Sequence, residues 1–178
     1  DTIRVVMSGA GAAGTAILKL LLAAGVKNAV VADIHGVVHA GREDLVDAAP
    51  DSALCWIADN TNPENLTGTL RQAVRGADVF IGVSAPNVLG AEDVAAMAEG
   101  AIVFALANPD PEVDPAIARQ TAAVVATGRS DFPNQINNVL VFPGVFRGLL
   151  DAQSRTVNTE MMLAAAKALA DVVTEDEL

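Results

Sequence analysis

The chain has 178 residues, of which 52% are hydrophobic, 19% charged and 3% aromatic, and it carries a formal net charge of −11. That size supports one domain with its own core, and that composition excludes a disordered chain. The charge argues against nucleic acid and anionic membrane surfaces as partners, and no apolar run reaches the ~18 residues of a membrane span.

Short apolar runs alternate with helical patterns along the chain. A strand is predicted over Ile3–Ser8, followed by Gly9-Ala10-Gly11-Ala12-Ala13-Gly14 and a helix over Ala12–Ala24. A second strand over Ala29–Ala32 runs into Asp33, 19 residues beyond Gly14. Strand, glycines, helix, strand and acid at that distance form a dinucleotide-binding fingerprint. Gly9 allows the tight turn, Gly11 lets a pyrophosphate approach the backbone, and Gly14 lets the helix lie close to the sheet. Ala12 and Ala13 open a helix whose first N–H groups favour an anion, and Asp33 is placed to accept from the adenosine ribose. A carboxylate there favours NAD. NADP is not excluded, because Arg42 and His35 are close in sequence.

The pattern continues with a helix over Arg42–Asp47, a strand over Leu54–Ala58, a helix over Leu66–Val74 and a strand over Val79–Val83. Then come a helix over Ala91–Met97, a strand over Ile102–Ala105, a helix over Pro115–Thr121 and a strand over Ala123–Ala126. Two further helices, Pro143–Asp151 and Thr156–Val173, close the chain. The single cysteine, Cys55, falls in a predicted strand and reads as a buried, inert thiol. With no disulfide framework and no export signal, a reducing cytoplasm is expected. Alternation of this kind predicts an α/β fold, a Rossmann-like doubly wound parallel sheet in three αβα layers, with residues 1–178 as one dinucleotide-binding domain.

Ligands of such sheets bind at the carboxyl ends of the strands. Besides Gly9–Gly14 and Asp33, those ends deliver Asp59–Asn62, Val83-Ser84-Ala85 with Pro86, Asn108-Pro109 with Glu112, and the amide-rich run Asn134, Gln135, Asn137 and Asn138. Small residues at Ser84 and Ala85 leave room for a flat ring beside the backbone, or make an ordinary turn. Asn108 can hydrogen-bond a carboxamide or carboxylate, or cap a turn. The four amides contact a small molecule or one another. His35 and His39 read as exposed loop residues rather than metal ligands, and Asp59, Asp131 and Glu112 as separate acids. No Lys or Tyr stands among the amide-rich loops, although a dehydrogenase needs an acid or base near the transferred hydride.

These stretches resemble the small bacterial malic enzymes. The match lies in Gly9–Gly14, Asp33, Gly82-Val83-Ser84-Ala85-Pro86, Ala107-Asn108-Pro109-Asp110-Pro111-Glu112 and the long run Ala126–Gly148. The resemblance implies oxidative decarboxylation of L-malate to pyruvate and CO₂ with reduction of NAD or NADP, assisted by Mg²⁺ or Mn²⁺. It implies that Ser84 and Asn108 lie by the nicotinamide end and that Asn108 and Asn138 reach malate. In the family a Lys base, a Tyr acid and the metal ligands come from an N-terminal catalytic domain, and a tail follows the last helix. Neither is recognised here, where Thr174–Leu178 closes the chain. The expectation is a cofactor domain of a larger, homodimeric enzyme, with no metal site and no malate turnover by itself. The alternative is a stand-alone, non-catalytic NAD-binding or sensing module.

Overall fold

The computed structural model describes residues 2–173, which divide into two units, one ending at Ile136 and one beginning at Asn137. The first unit is built on a six-stranded sheet. Its strands are β1 (Arg4–Ser8), β2 (Asn28–Asp33), β3 (Gly36–Val37), β4 (Val79–Gly82), β5 (Ile102–Ala105) and β6 (Val124–Thr127). They lie in the order β3-β2-β1-β4-β5-β6.

All neighbours pair in parallel except β2 and β3, which pair antiparallel through Ala32 with Val37 and Asp33 with Gly36. The doubly wound parallel sheet expected from sequence is thus present, with one short antiparallel strand added at its edge. Gly36, at φ +102°, turns the chain back directly after Asp33. The order reverses between β1 and β4, and this switch point is where an open α/β sheet leaves a crevice.

The strands are apolar on both faces, as a sheet covered by helices requires. One face packs Val6, Val30, Phe80, Val103 and Val125 beneath α3 (Leu70–Ala73), α4 (Ala91–Ala95) and α5 (Pro115–Ala118). The other packs Val5, Met7, Ala29, Val31 and Ile81 against Leu18 of α1 (Ala12–Ala23) and Ile57 of α2 (Ala53–Asn60). Three αβα layers result.

Leu54–Ala58, expected as a strand, is part of helix α2. Ser52 caps it by accepting from the Cys55 N–H at 3.2 Å, and Ile57 is its buried contact. Cys55 is accordingly half-buried on a helix rather than sealed in a strand. The helix expected over Arg42–Asp47 contracts to a 3₁₀ turn at Glu43–Leu45, with Arg42 in extended conformation. The helix expected over Pro143–Asp151 begins one residue earlier, at Phe142, and the other predicted helices shorten at their ends but keep their places.

In the second unit a 3₁₀ turn at Asn138–Leu140 leads into α6 (Phe142–Asp151), followed by α7 (Thr159–Ala170). Asn137 caps the turn and Asn158 caps α7, each accepting a backbone N–H. The expected closing segment Thr174–Leu178 lies outside the described residues. Among the described residues no helix is long and apolar enough to cross a membrane.

Candidate functional site

A cleft of about 950 Å³ opens at the switch point between β1 and β4, within the first unit. Its wall includes Gly9, Gly11, Asp33, Val83, Ser84 and Ala85, six of the residues singled out from sequence. Ala12, Ala13 and Gly14 form the first turn of α1 behind that wall. Asn108 stands exposed at the end of β5, in a cis peptide bond with Pro109. Asn138 belongs to the second unit, where it begins the 3₁₀ turn.

The glycine turn is determined by close approach. Gly9 has φ +112°, and a Cβ on it would stand 2.6 Å from the Val83 carbonyl oxygen. A Cβ on Gly14 would overlap the carbonyl oxygen of Gly9 itself. Gly11 is different, since a Cβ there would meet no protein atom within 4 Å. The first two glycines thus serve helix-to-sheet packing, whereas the third preserves open space. Gly11 is also the N-cap of α1 and offers no side-chain acceptor, so the first-turn N–H groups are left for another partner. This shape fits a pyrophosphate laid over the turn.

At the far end of the cleft, Asp33 is half-buried and already engaged. Arg42 donates from Nη1 to Oδ1 at 2.9 Å and from Nη2 to Oδ2 at 2.7 Å. The same guanidinium donates to Asp44 from Nε at 2.6 Å and from Nη2 at 2.8 Å. Burial opposes the charge on Arg42, but the hydrogen bonds to Asp33 and Asp44 outweigh it and leave its pKa raised. The Asp44 carboxyl is held below the usual carboxylate range, chiefly by the hydrogen bond from Arg42. Sequence proximity had suggested that Arg42 weakens the discrimination by Asp33; in the fold it is instead bound to Asp33. The His35 N–H donates to Asp33 Oδ1 at 2.8 Å, and its ring is exposed. His39, expected to be exposed, is half-buried with Nδ1 3.0 Å from the Ala40 carbonyl oxygen.

Toward the other end, Ser84 is fixed from two sides. Its Oγ lies 2.7 Å from Ser8 Oγ, and its N–H donates to Glu112 Oε1 at 2.7 Å. The second oxygen of Glu112 accepts from the Ala107 N–H at 3.0 Å. Glu112 is completely buried. It ties the loop after β4 to the loop after β5, and Gly82 makes room for it, since a Cβ there would fall 2.7 Å from Oε1. Sequence reading placed Glu112 among unconnected acids. Its position between Pro111 and Val113, both buried, was the available sign that it turns inward.

The remaining candidates resolve locally. Asp59 is exposed near the end of α2 and not at a strand end. Asp131 pairs with Arg129 at 2.6 Å, which holds its carboxyl below the usual range. Asn134 and Gln135 are exposed and donate to the carbonyls of Val125 and Gly128. Among the described residues no cluster of His, Cys, Asp or Glu is arranged to hold a metal ion.

The whole chain, residues 1–178, matches the family model described as the malic enzyme NAD binding domain. It is 56% identical to an NAD-dependent malic enzyme of Geobacillus stearothermophilus, covering 100% of this chain and 36% of that protein. Identity is 45% to an NADP-dependent malic enzyme of Halomonas elongata, covering 98% of this chain and 40% of that one. Among solved structures, a malic enzyme from Pyrococcus horikoshii superposes with a TM-score of 0.89 at 43% identity, over 98% of this chain and 42% of that one. The chain thus spans well under half the length of these relatives.

Proposed function

The chain belongs to the malic enzyme NAD-binding domain family, and from that membership we propose that it is the cofactor half of an enzyme that oxidatively decarboxylates L-malate to pyruvate and CO₂ with reduction of NAD(P). The observation that carries this reading is the cleft itself. It is bounded by the Gly9–Gly14 turn at one wall and Asp33 at another, with open space at Gly11.

In this reading the first turn of α1, from Ala12 through Gly14, takes the pyrophosphate on its N–H groups. Asp33 accepts from the adenosine ribose, and Val83, Ser84 and Ala85 line the path toward the nicotinamide. Glu112 holds the Ser84 loop for that purpose through the two backbone bonds described above. Asn108, at the end of β5, lies by the nicotinamide and supplies its amide to L-malate. When bound, the nicotinamide supplies hydride acceptance. The described residues offer no donor set for Mg²⁺ or Mn²⁺; we assign the metal ligands and the acid and base groups to the remaining length of the relatives.

The exposed apolar side chains Phe142, Phe146 and Leu150 of α6 are surface of the kind protein contacts cover, and we assign them to contacts within the intact homodimer. The free half-buried Cys55 suits a reducing cytoplasm. Nothing observed favours a stand-alone sensing module.

Calorimetric titration of the chain with NAD, NADP, and L-malate with Mn²⁺ tests the assignment. Dinucleotide binding without malate binding is expected; no binding of either dinucleotide would overturn it. A substitution sharpens the test. Ile34 lines the cleft next to Asp33 and is 93% exposed, an apolar side chain positioned to cover the adenine. Burial of such a side chain is worth ~1.5–3 kcal/mol, so Ile34→Ser should weaken NAD binding by roughly tenfold. Its melting temperature should not change, and unchanged affinity would place the adenine elsewhere.

A further inference from the structure

Resting on the dinucleotide reading of the cleft, we infer that Asp44 is a specificity-determining residue, which occupies the side edge of the Arg42 guanidinium and thereby denies that cation to a ribose 2′-phosphate. Family membership does not make this choice, because the relatives include both NAD-dependent and NADP-dependent enzymes. The choice has to be read from this chain.

The inventory of Arg42 is complete. Nε and one hydrogen of Nη2 go to Asp44, and the other hydrogen of Nη2 and one of Nη1 go to Asp33. The last Nη1 hydrogen faces the Gly36 carbonyl at 3.4 Å. A guanidinium has no acceptor and no further donor, so nothing of it is left for a ligand. The side chain is 8% exposed, which prevents it from swinging out while both carboxylates hold it. Two carboxylates around one cation leave the group net negative, and two of its members, Asp33 and Arg42, line the cleft.

A free 2′-hydroxyl can donate to Asp33 Oδ2, which among the described residues accepts only from Arg42. A 2′-phosphate has acceptors only and adds negative charge, so it meets repulsion with no compensating bond. The other cation lining this end of the cleft, Arg71, is exposed and lies 3.5 Å from Asp93. Asp44 is thus the member of the group that decides whether Arg42 is committed or available. Without it, Nε and one Nη2 hydrogen are released and the group becomes neutral.

The test is calorimetric titration of the chain with NAD and with NADP, before and after Asp44→Ala and Asp44→Asn. The unaltered chain is expected to prefer NAD. Asp44→Ala is expected to bind NADP about tenfold more tightly, by charge-assisted bonds from the released guanidinium, and Asp44→Asn, which loses the charge but keeps one oxygen to accept from Arg42, is expected to gain less, with no gain for NAD in either. Adding Arg42→Ala to Asp44→Ala should erase the gain, and thermal melts establish that each variant is folded. Folded variants whose NAD-to-NADP ratio stays unchanged would overturn the inference while leaving the dinucleotide reading intact. So would an unaltered chain that prefers NADP. Failure of the unaltered chain to bind either dinucleotide would instead remove the reading on which the inference rests. Should Asp44→Ala not fold, Asp44→Asn, which keeps the side chain's shape, carries the same comparison.

Discussion

Gly14→Ala is expected to reduce NAD affinity at least a hundredfold and to destabilise the chain by ~2–3 kcal/mol, the upper part of the range for overpacking. The new Cβ would overlap the Gly9 carbonyl oxygen and stand 3.5 Å from the Val83 side chain. The Val83 distance is an ordinary contact, but the Gly9 carbonyl is backbone in the tightest part of the turn and cannot swing aside. Relief requires α1 to move away from β1, which carries its N-terminal N–H groups away from the cleft. Gly11→Ala is the matched control. Its Cβ meets nothing in the protein, so stability should hold while NAD affinity falls. Melting curves and titrations on both variants separate the roles. A Gly14→Ala chain that binds NAD normally would show that the close seating of α1 is not needed.

The second large effect belongs to Glu112. Glu112→Ala is expected to cost about 3–5 kcal/mol, because it strands two backbone N–H groups at ~1–3 kcal/mol each and leaves a buried void. Those groups belong to Ser84 and Ala107, so the loss falls on the two loops that carry Ser84 and Asn108. NAD binding should weaken even under conditions where the variant remains folded. Glu112→Gln should be milder, since its amide oxygen can still accept from Ser84 while its NH₂ group opposes the Ala107 N–H. Chemical denaturation of the three proteins reads the ranking. Equal stability for all three would show that the buried carboxylate is dispensable.

The glycine turn, Asp33 and the five parallel strands were legible because each rests on local rules: apolar runs bounded by turn residues, and glycine where nothing else fits. Leu54–Ala58 was misread for a physical reason. A five-residue apolar run satisfies a buried strand and a half-buried helix equally, and here the Ser52 cap decides for helix. The two-residue strand β3 is too short to leave a periodicity. What sequence could not convey was pairing across distance. Arg42 meets Asp33 because a 3₁₀ turn replaces the expected helix and leaves Arg42 extended. Glu112 meets Ser84 only because β4 and β5 lie side by side. The first spans nine residues and the second 28, each engages a charged side chain, and composition is silent about both.

The antiparallel turn-back at β3 bears on how this chain behaves in crowded solution. An open sheet ends in two rims of backbone that can recruit a foreign strand and seed aggregates. Here one rim is a two-residue strand whose Val37 N–H is already spent on the Gly68 carbonyl at 2.8 Å. At the opposite rim the Thr127 N–H and carbonyl bond Asn134 and Ile136, and the Val125 carbonyl accepts from the Asn134 side chain. Bonds from neighbouring loops therefore blunt both rims, and this valine-rich core, in a chain without tyrosine, can be kept without inviting amyloid-like growth.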